Sequence, residues 1–410
     1  MFMNSASTTP SRGNAACRRI LYNGVIHSME GAAIPCGYIA IEGASIERVG
    51  CMEDLPDFRP GSEDIDLQGM SAYPGFIDAH THLGMWEDGL GFEGDDGNEE
   101  TDPSTPHLRA LDAVNPCDRC FSEALAAGIT TVMTGPGSAN AIGGQWAAMK
   151  TARAENEGMD RATILAPASM KFALGENPKS IYHGKSLSPM TRMATAAIIR
   201  EQLLKARRYL DELERAAQDE DYDQPEFDMK CEALLPVLKR ELKAHFHCHR
   251  QDDIRTALRL IREFNLDGVL IHATEGSAVA GELAQTGTPV IAGPILCDRS
   301  KPEMRNLDPA NAGAMQAAGV ELAICTDHPV IPIQYLPLSA ALCVKHGLSH
   351  EDALRAITIH PARICGIDNR VGSLAPGKDA DIVVFDDDPL SVYASPRLIM
   401  AEGILWHVSD

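Results

Sequence analysis

Histidines and an aspartate stand at the ends of apolar runs along this chain, where their side chains can converge. In Gly75-Phe76-Ile77-Asp78-Ala79-His80-Thr81-His82, two histidines lie two positions apart at the end of a strand-like run. Strand alternation puts both imidazoles on one face, within reach of one metal ion. Leu242 to His249 carries His245, His247 and His249 at the same spacing, all on one face if the strand continues. Val269-Leu270-Ile271-His272 ends in a histidine, and Leu322-Ala323-Ile324-Cys325-Thr326-Asp327 in an aspartate. Any one of these reads most simply as a hydrogen-bonded core residue. Four successive metal-type groups, all at the same end of βα units, read together as a site.

The elements that must position them alternate. Tyr73–Asp78, Ile129–Met133, Ala162–Ala168, Leu242–His247, Val269–His272, Val290–Ala292 and Leu322–Cys325 read as strands. Cys120–Ala127, Gly144–Asn156 and Asp252–Phe264 read as helices. Repeated βα units over this length favour a parallel α/β fold, a barrel or a doubly wound sheet. No GxGxxG follows the first strand and no Walker loop occurs, which disfavours nucleotide-binding versions. Both ends of the chain are β-rich. Arg19-Ile20-Leu21-Tyr22 before Asn23-Gly24 is a hairpin signal, Tyr38–Ile41 and Ser45–Val49 follow, and Ala380–Phe385 and Leu398–His407 close the chain. The termini are expected to build one small domain together. Thr191–Glu220 reads as an inserted amphipathic surface helix with Ile198, Ile199, Leu203, Leu204, Leu210 and Leu213 as its apolar stripe. A flap over the site or an oligomer contact is its functional alternative, and residues 218–229 read as an acidic solvated loop.

Composition limits the partners. The 410 residues carry a net charge of −22, which repels phosphate backbones and anionic membranes. No apolar run approaches the roughly 18 residues that span a bilayer, and residues 1–16 read as a polar tail without a secretory h-region. The eleven cysteines are scattered and odd in number, with one CxxC pair at Cys117 and Cys120. That pattern reads as a reduced cytoplasmic protein without structural zinc.

The motifs together resemble the amidohydrolase superfamily of metal-dependent hydrolases, over essentially the whole chain. Its hallmarks are an HxH after the first barrel strand, histidines after strands five and six, and an aspartate after strand eight. They fall on His80, His82, His247 or its neighbours, His272 and Asp327. The resemblance implies a (β/α)8 barrel over 73–365, with the helical insertion near 190–240. It also implies a small β-sandwich from 17–72 and 366–410, which Val371-Gly372-Ser373-Leu374-Ala375-Pro376-Gly377 re-enters. The imidazolonepropionase-like and prolidase-like members look most similar. Their fifth-strand pattern HxHR-x-DD-I matches His247, His249, Arg250, Asp252, Asp253 and Ile254, which prefers His247 as ligand, and His272 precedes Thr274-Glu275-Gly276. Binuclear members add a bridging ligand, here Glu176 or a carbamylated Lys171. Glu176 is preferred because it lies in a Gly/Pro loop beyond the strand; with neither, the site is mononuclear.

This ligand set implies one or two divalent ions. Nitrogen and oxygen donors without thiolate suit zinc, with iron, manganese or cobalt as alternatives. Such ions lower the pKa of bound water from roughly 15.7 to about 7, so hydroxide can attack a carbonyl or amidine carbon. Asp327 is expected to act as general base and then acid toward the leaving nitrogen. His272, or the neighbouring His328, is expected to steady the oxyanion. His107, Arg109 and Arg250 are candidate substrate contacts along with His328, Arg250 for a carboxylate unless Asp252 or Asp253 pairs with it. Gly135–Asn140 and Ile142–Trp146 read as binding loops or as a turn and a helix start. The acidic stretch Glu87–Asp102 reads as a solvated loop. The expected function is hydrolysis of a C–N bond in a small amide or cyclic amide. A prolidase-like dipeptidase is the alternative, a deaminase and a non-catalytic assembly homologue are weaker ones, and self-association is possible.

Overall fold

Two eight-stranded sheets organise the chain, and the site lies at the mouth of the second. The computed structural model describes residues 18–87, 90–153 and 159–408; the expected tail 1–16 and Asp88 of the acidic stretch lie outside them. The first sheet begins with β1 (Arg18–Ile26), β2 (Ile34–Glu42), β3 (Ser45–Cys51), β4 (Ile65–Asp66) and β5 (Ser71–Pro74). The second contains β6 (Phe76–Thr81), β7 (Ile129–Thr134), β8 (Ile142–Lys150), β9 (Thr163–Ala173), β10 (Lys243–Cys248), β11 (Gly268–His272), β12 (Val290–Ala292) and β13 (Leu322–Ile324). The chain then returns to the first sheet with β14 (Ile382–Phe385), β15 (Leu398–Ala401) and β16 (Ile404–Val408).

The first sheet runs β16-β15-β14-β5-β1-β2-β3, with β4 beside β1. Val383 of β14 lies opposite Tyr73 of β5, so the two chain ends share one sheet. Leu21, Ile39, Ile41, Ile382, Val384 and Met400 form its apolar core. The expected hairpin at Asn23-Gly24 is instead an irregularity inside β1: Asn23 takes a φ of 57° and pairing with β2 resumes at Gly24. A side chain at Gly24 would run into Leu67, so this glycine serves a close approach, and Asn23 tolerates the left-handed backbone.

The second sheet runs in chain order from β6 to β13 and curls into a nearly closed barrel. All neighbours are parallel except β7–β8 and β8–β9. The expected helix Gly144–Asn156 has 154–156 outside the described residues and is a strand over most of its described part, residues 142–150 forming β8. Its Trp146 and Ala148 pack in the inner core while Ala147 and Met149 pack in the outer one. Burial on both faces removes the polar alternation that marks a strand, and pairing on both sides outweighs the helix preference of Ala, Met and Gln. β6 and β13 join through a side chain. The Asp78 carboxylate accepts from the Thr326 backbone N–H at 3.0 Å, its hydroxyl at 2.6 Å and the His80 N–H at 3.1 Å. Beyond it, the Asp327 N–H donates to His80 and the His82 N–H to the His328 carbonyl.

At the opposite end of β8, buried Lys150 reaches Asp379 at 2.8 Å and Asp381 at 2.7 Å, and the Thr130 hydroxyl donates to Asp381 at 2.8 Å. These bonds tie the barrel to the segment that leads back into the first sheet. The expected long helix spans Arg192–Gln218, capped by the Thr191 hydroxyl, which accepts from the Ala194 N–H. It buries Ala196, Ile199, Leu203 and Ala206 against the barrel's flank, and Arg192 pairs with Asp253 at 2.9 Å. Leu204 is exposed and falls off the stripe. This helix packs into the core and is not a flap. No helix among the described residues is long and apolar enough to cross a membrane. The ten described cysteines are free thiols, and of the CxxC pair Cys117 is exposed while Cys120 is buried.

Candidate metal centre

Parallel strands of one barrel point their C-terminal ends the same way, and here those ends carry the histidines. Two groups of ligand atoms result. His80, His82 and Asp327 form one, and His247, His249 and His272 the other, with the ligand atoms of each group within 4.8 Å of one another. Asp327 Oδ1 lies 3.4 Å from His80 Nε2 and 3.3 Å from His82 Nε2. Lys171, at the end of β9, brings its Nζ to 3.2 Å from His80 Nε2. The backbone bends to aim two of these groups: His272 has a φ of 72° and Asp327 of 55°. Non-glycine residues seldom occupy that left-handed region, and strain of this kind concentrates at functional sites.

Outer contacts orient the rings. His82 Nδ1 lies 2.7 Å from the Gly135 carbonyl and His272 Nδ1 2.7 Å from the Gly293 carbonyl. His247 Nδ1 meets the Ser138 hydroxyl at 3.0 Å, and His249 Nδ1 the Thr274 hydroxyl at 2.7 Å. With Nδ1 engaged in four rings, each Nε2 is left to face the centre, the arrangement that metal-ligating histidines use. A side chain at Gly135 would run into Trp146 and one at Gly293 into the Cys325 carbonyl, so both acceptor carbonyls depend on glycine. The Trp146 indole stacks on His80 with centroids 4.4 Å apart.

Burial keeps the imidazoles neutral, as metal ligands must be. It pushes His80, His245, His247 and His272 well below the ordinary histidine range, and His249 down to about 4. Burial alone would raise the Asp327 carboxyl; the facing His272 and hydrogen bonds from His80 and His82 outweigh it and hold the group well below the usual range. Lys171 is buried, and burial lowers its amine to about 7 although the Asp327 carboxylate opposes the shift. Neutral inward-facing nitrogens, an ionised aspartate and His247 Nε2 without a hydrogen-bond partner suit divalent cations in both groups.

The model of the amidohydrolase family matches residues 71–402. The chain belongs to the amidohydrolase family. It is similar to an amidohydrolase of solved structure from Thermotoga maritima, at 36% identity and a TM-score of 0.90, covering 95% of this chain and all of that one. It is 31% identical to amidohydrolase tasK of Hapsidospora irregularis over 82% of its own length, but spans only 36% of that protein. It is 25% identical to an imidazolonepropionase of Acidiphilium cryptum, over 86% of this chain and 88% of that one.

Several expected site residues of this amidohydrolase sit elsewhere. Glu176 does not reach the centre: Gly175, with a φ of 86°, turns the chain out of β9 into the helix Glu176–Gly184. There the Glu176 carboxylate accepts from the Glu303 N–H at 3.4 Å. Arg109 forms a two-pronged pair with Asp112, and Arg250 with Asp252, both exposed. His107 is half-buried away from the cavity, with its Nδ1 unpartnered. His328 is buried and bonded through its backbone to His82. His245 lies buried near Trp146, outside both ligand groups.

A cavity of about 540 Å³ opens above the two groups. His82, His247, His249 and Asp327 reach it, and Trp86, Asn98, Ser138, Ile181, Met304 and Lys301 are among its walls. Among the described residues Lys301 is the one lysine or arginine that lines it, and its Nζ bonds to the neutral Asn177 Oδ1 at 2.9 Å. Sequence reasoning missed Lys301 and Glu303, which lie in a loop after β12 with no strand-end pattern. It weighed His249 and set it second, although the unbroken His-x-His-x-His spacing puts it level with His247.

Proposed function

We propose that this amidohydrolase hydrolyses a C–N bond of a small amide or cyclic amide, with one or two divalent cations, zinc foremost. The observation that carries this reading is the pair of facing ligand groups with the buried Lys171 amine 3.2 Å from His80 Nε2. His80, His82, Asp327 and Lys171 would hold one cation, and His247, His249 and His272 the other. Bound cations supply a Lewis acid and a water acidified toward neutral pH.

The chain's residues do the rest. Lys171, rather than Glu176, is the residue suited to join the two groups, because an uncharged amine can add CO2 to form a carbamate. Asp327 takes a proton at its carboxylate and returns it to the leaving nitrogen. His272 has its Nδ1 on the Gly293 carbonyl, so its Nε2 would hold the second cation or, with a single cation bound, steady charge on the substrate oxygen. Apolar walls exclude water, and Lys301 offers a cation to a substrate carboxylate. The name imidazolonepropionase, borne by a relative, describes a cyclic amide with such a group. The free thiols and acidic charge agree with a cytoplasmic setting.

Metal analysis of protein purified without added metal, followed by a substrate panel, tests the reading. The panel sets cyclic amides, N-acyl amides and dipeptides, each with and without a carboxylate, against the zinc-loaded protein. Uptake of one or two equivalents with turnover of a carboxylated cyclic amide is the expected result. Selective turnover of dipeptides would make the protein a dipeptidase. Neither uptake nor turnover would return it to a non-catalytic role.

A further inference from the structure

Glu303 is a buried carboxylate that the site as described leaves unused. It is 1% exposed, on the loop after β12. One oxygen, Oε2, accepts from the Glu176 N–H at 2.8 Å. The other, Oε1, has no hydrogen-bond partner. It points at the second histidine group, 3.8 Å from His247 Nε2 and 3.7 Å from His249 Nε2. His247 Nε2 also lacks a partner. Both rings have Nδ1 engaged by hydroxyls, so Nε2 is the face each presents to Glu303.

Two buried atoms that can each offer a lone pair, His247 Nε2 and Glu303 Oε1, are costly to leave unpartnered, and a cation between them would satisfy both. The spacing agrees. Ligand bonds of about 2.0–2.1 Å put neighbouring donors about 3.3–3.6 Å apart at tetrahedral to trigonal angles, a little inside the two distances observed. Among the described residues no lysine or arginine pairs with Glu303: the neighbouring Lys301 turns its Nζ to Asn177. The placement is also enforced. A side chain at Gly175 would collide with Glu303 Oε2, so the left-handed glycine that turns the chain out of β9 also makes room for this carboxylate.

We propose that Glu303 is an anionic ligand of the cation held by His247, His249 and His272. The three neutral imidazoles thereby gain the one negative charge that Asp327 gives the other group. This rests on the metal-dependent reading above.

Cobalt(II) titration of the metal-free protein tests it, with visible absorption reporting coordination and elemental analysis counting equivalents. Glu303→Gln keeps the shape and the acceptor for the Glu176 N–H, and thermal unfolding of the metal-free variant checks that it folds. His249→Ala marks the second site, and Glu303→Asp tests rescue by a shorter carboxylate. The wild-type protein is expected to take two equivalents. In Glu303→Gln the first is unchanged, while the second binds at least about a hundredfold more weakly and its absorption bands shift, a loss beyond that of an outer-shell change. Glu303→Asp recovers part of it. Two equivalents in Glu303→Gln with wild-type affinity and bands would overturn the proposal and reduce Glu303 to a cap for Glu176. One equivalent in the wild-type protein would overturn it while leaving the metal-dependent reading intact. No uptake at all would overturn both.

Discussion

Two lysines on adjacent barrel strands, equally buried, are treated in opposite ways. Lys150, at the end of β8 far from the mouth, sits between Asp379 and Asp381. Burial opposes its charge, but the two carboxylates outweigh that and raise it above the ordinary lysine range. Lys171, at the mouth end of β9, has His80 and the face of Trp146 as neighbours and is lowered to about 7. The difference extends to the surroundings. Around Lys150 the buried charges are paired, although the neighbouring Thr131 hydroxyl is not, whereas at the mouth His80 Nδ1, both nitrogens of His245, His247 Nε2 and Glu303 Oε1 have no partner. One end of the barrel pairs its buried charges within the chain and is built for stability. The other leaves them open and is built to bind.

Substitutions can break this contrast. The largest effect is expected at the mouth: Asp327→Asn should lower turnover by about 10⁴-fold with the melting temperature little changed, measured as initial rates beside thermal unfolding. Lys150→Met should do the reverse. It leaves buried Asp381 without a counter-charge, Asp379 keeping Arg370, and should cost about 3–5 kcal/mol of stability by urea denaturation, while any properly folded fraction keeps its turnover number. Lys171→Met should lower turnover at least about 10²-fold, and the metal-free protein should be as stable as the parent or more so, because it loses an amine whose charge burial opposes. Equal destabilisation by the two lysine substitutions would erase the distinction. The smallest effect belongs to a surface pair. Asp228 caps the helix Met229–Leu238, and a hydrogen bond from Lys205 lowers it from 3.8 to about 2. Its contribution is complete above pH 4 and is lost as pH falls from about 4 toward 2. Asp228→Asn keeps a cap but loses the charged pair with Lys205, and should cost about 0.2–1 kcal/mol at neutral pH and show a shallower acid loss in the same denaturation assay.

Much of the mouth was legible because strand ends leave a local mark. An apolar run closing on His80, His82, His272 or Asp327 is visible without any knowledge of its neighbours. The family pattern likewise exposed the shared sheet made by the two chain ends. What stayed hidden depends on packing at a distance. β8 reads as a helix because both its faces are buried, and only pairing with β7 and β9 decides its form. Glu303 sits more than fifty residues beyond His249 in a loop with no periodicity, and nothing local distinguishes it from a solvated acid. The choice between Glu176 and Lys171 turned on the direction the chain takes at Gly175. The bulge at Asn23-Gly24 likewise follows from Leu67 packing against the glycine.

The Asp78 seam gives the barrel a built-in reporter. The amide protons of Thr326, Asp327 and His82 are held by Asp78, His80 and His328, which lie on the opposite lips of the join. His80, His82 and Asp327 span the same join, so a cation shared by them would act as a clasp. Stripping it with a chelator should quicken exchange of those three amides with deuterated solvent, while amides in the middle of β10 and β11 stay slow. Chain closure and cofactor loading would then be readable from one peptide map, without a substrate.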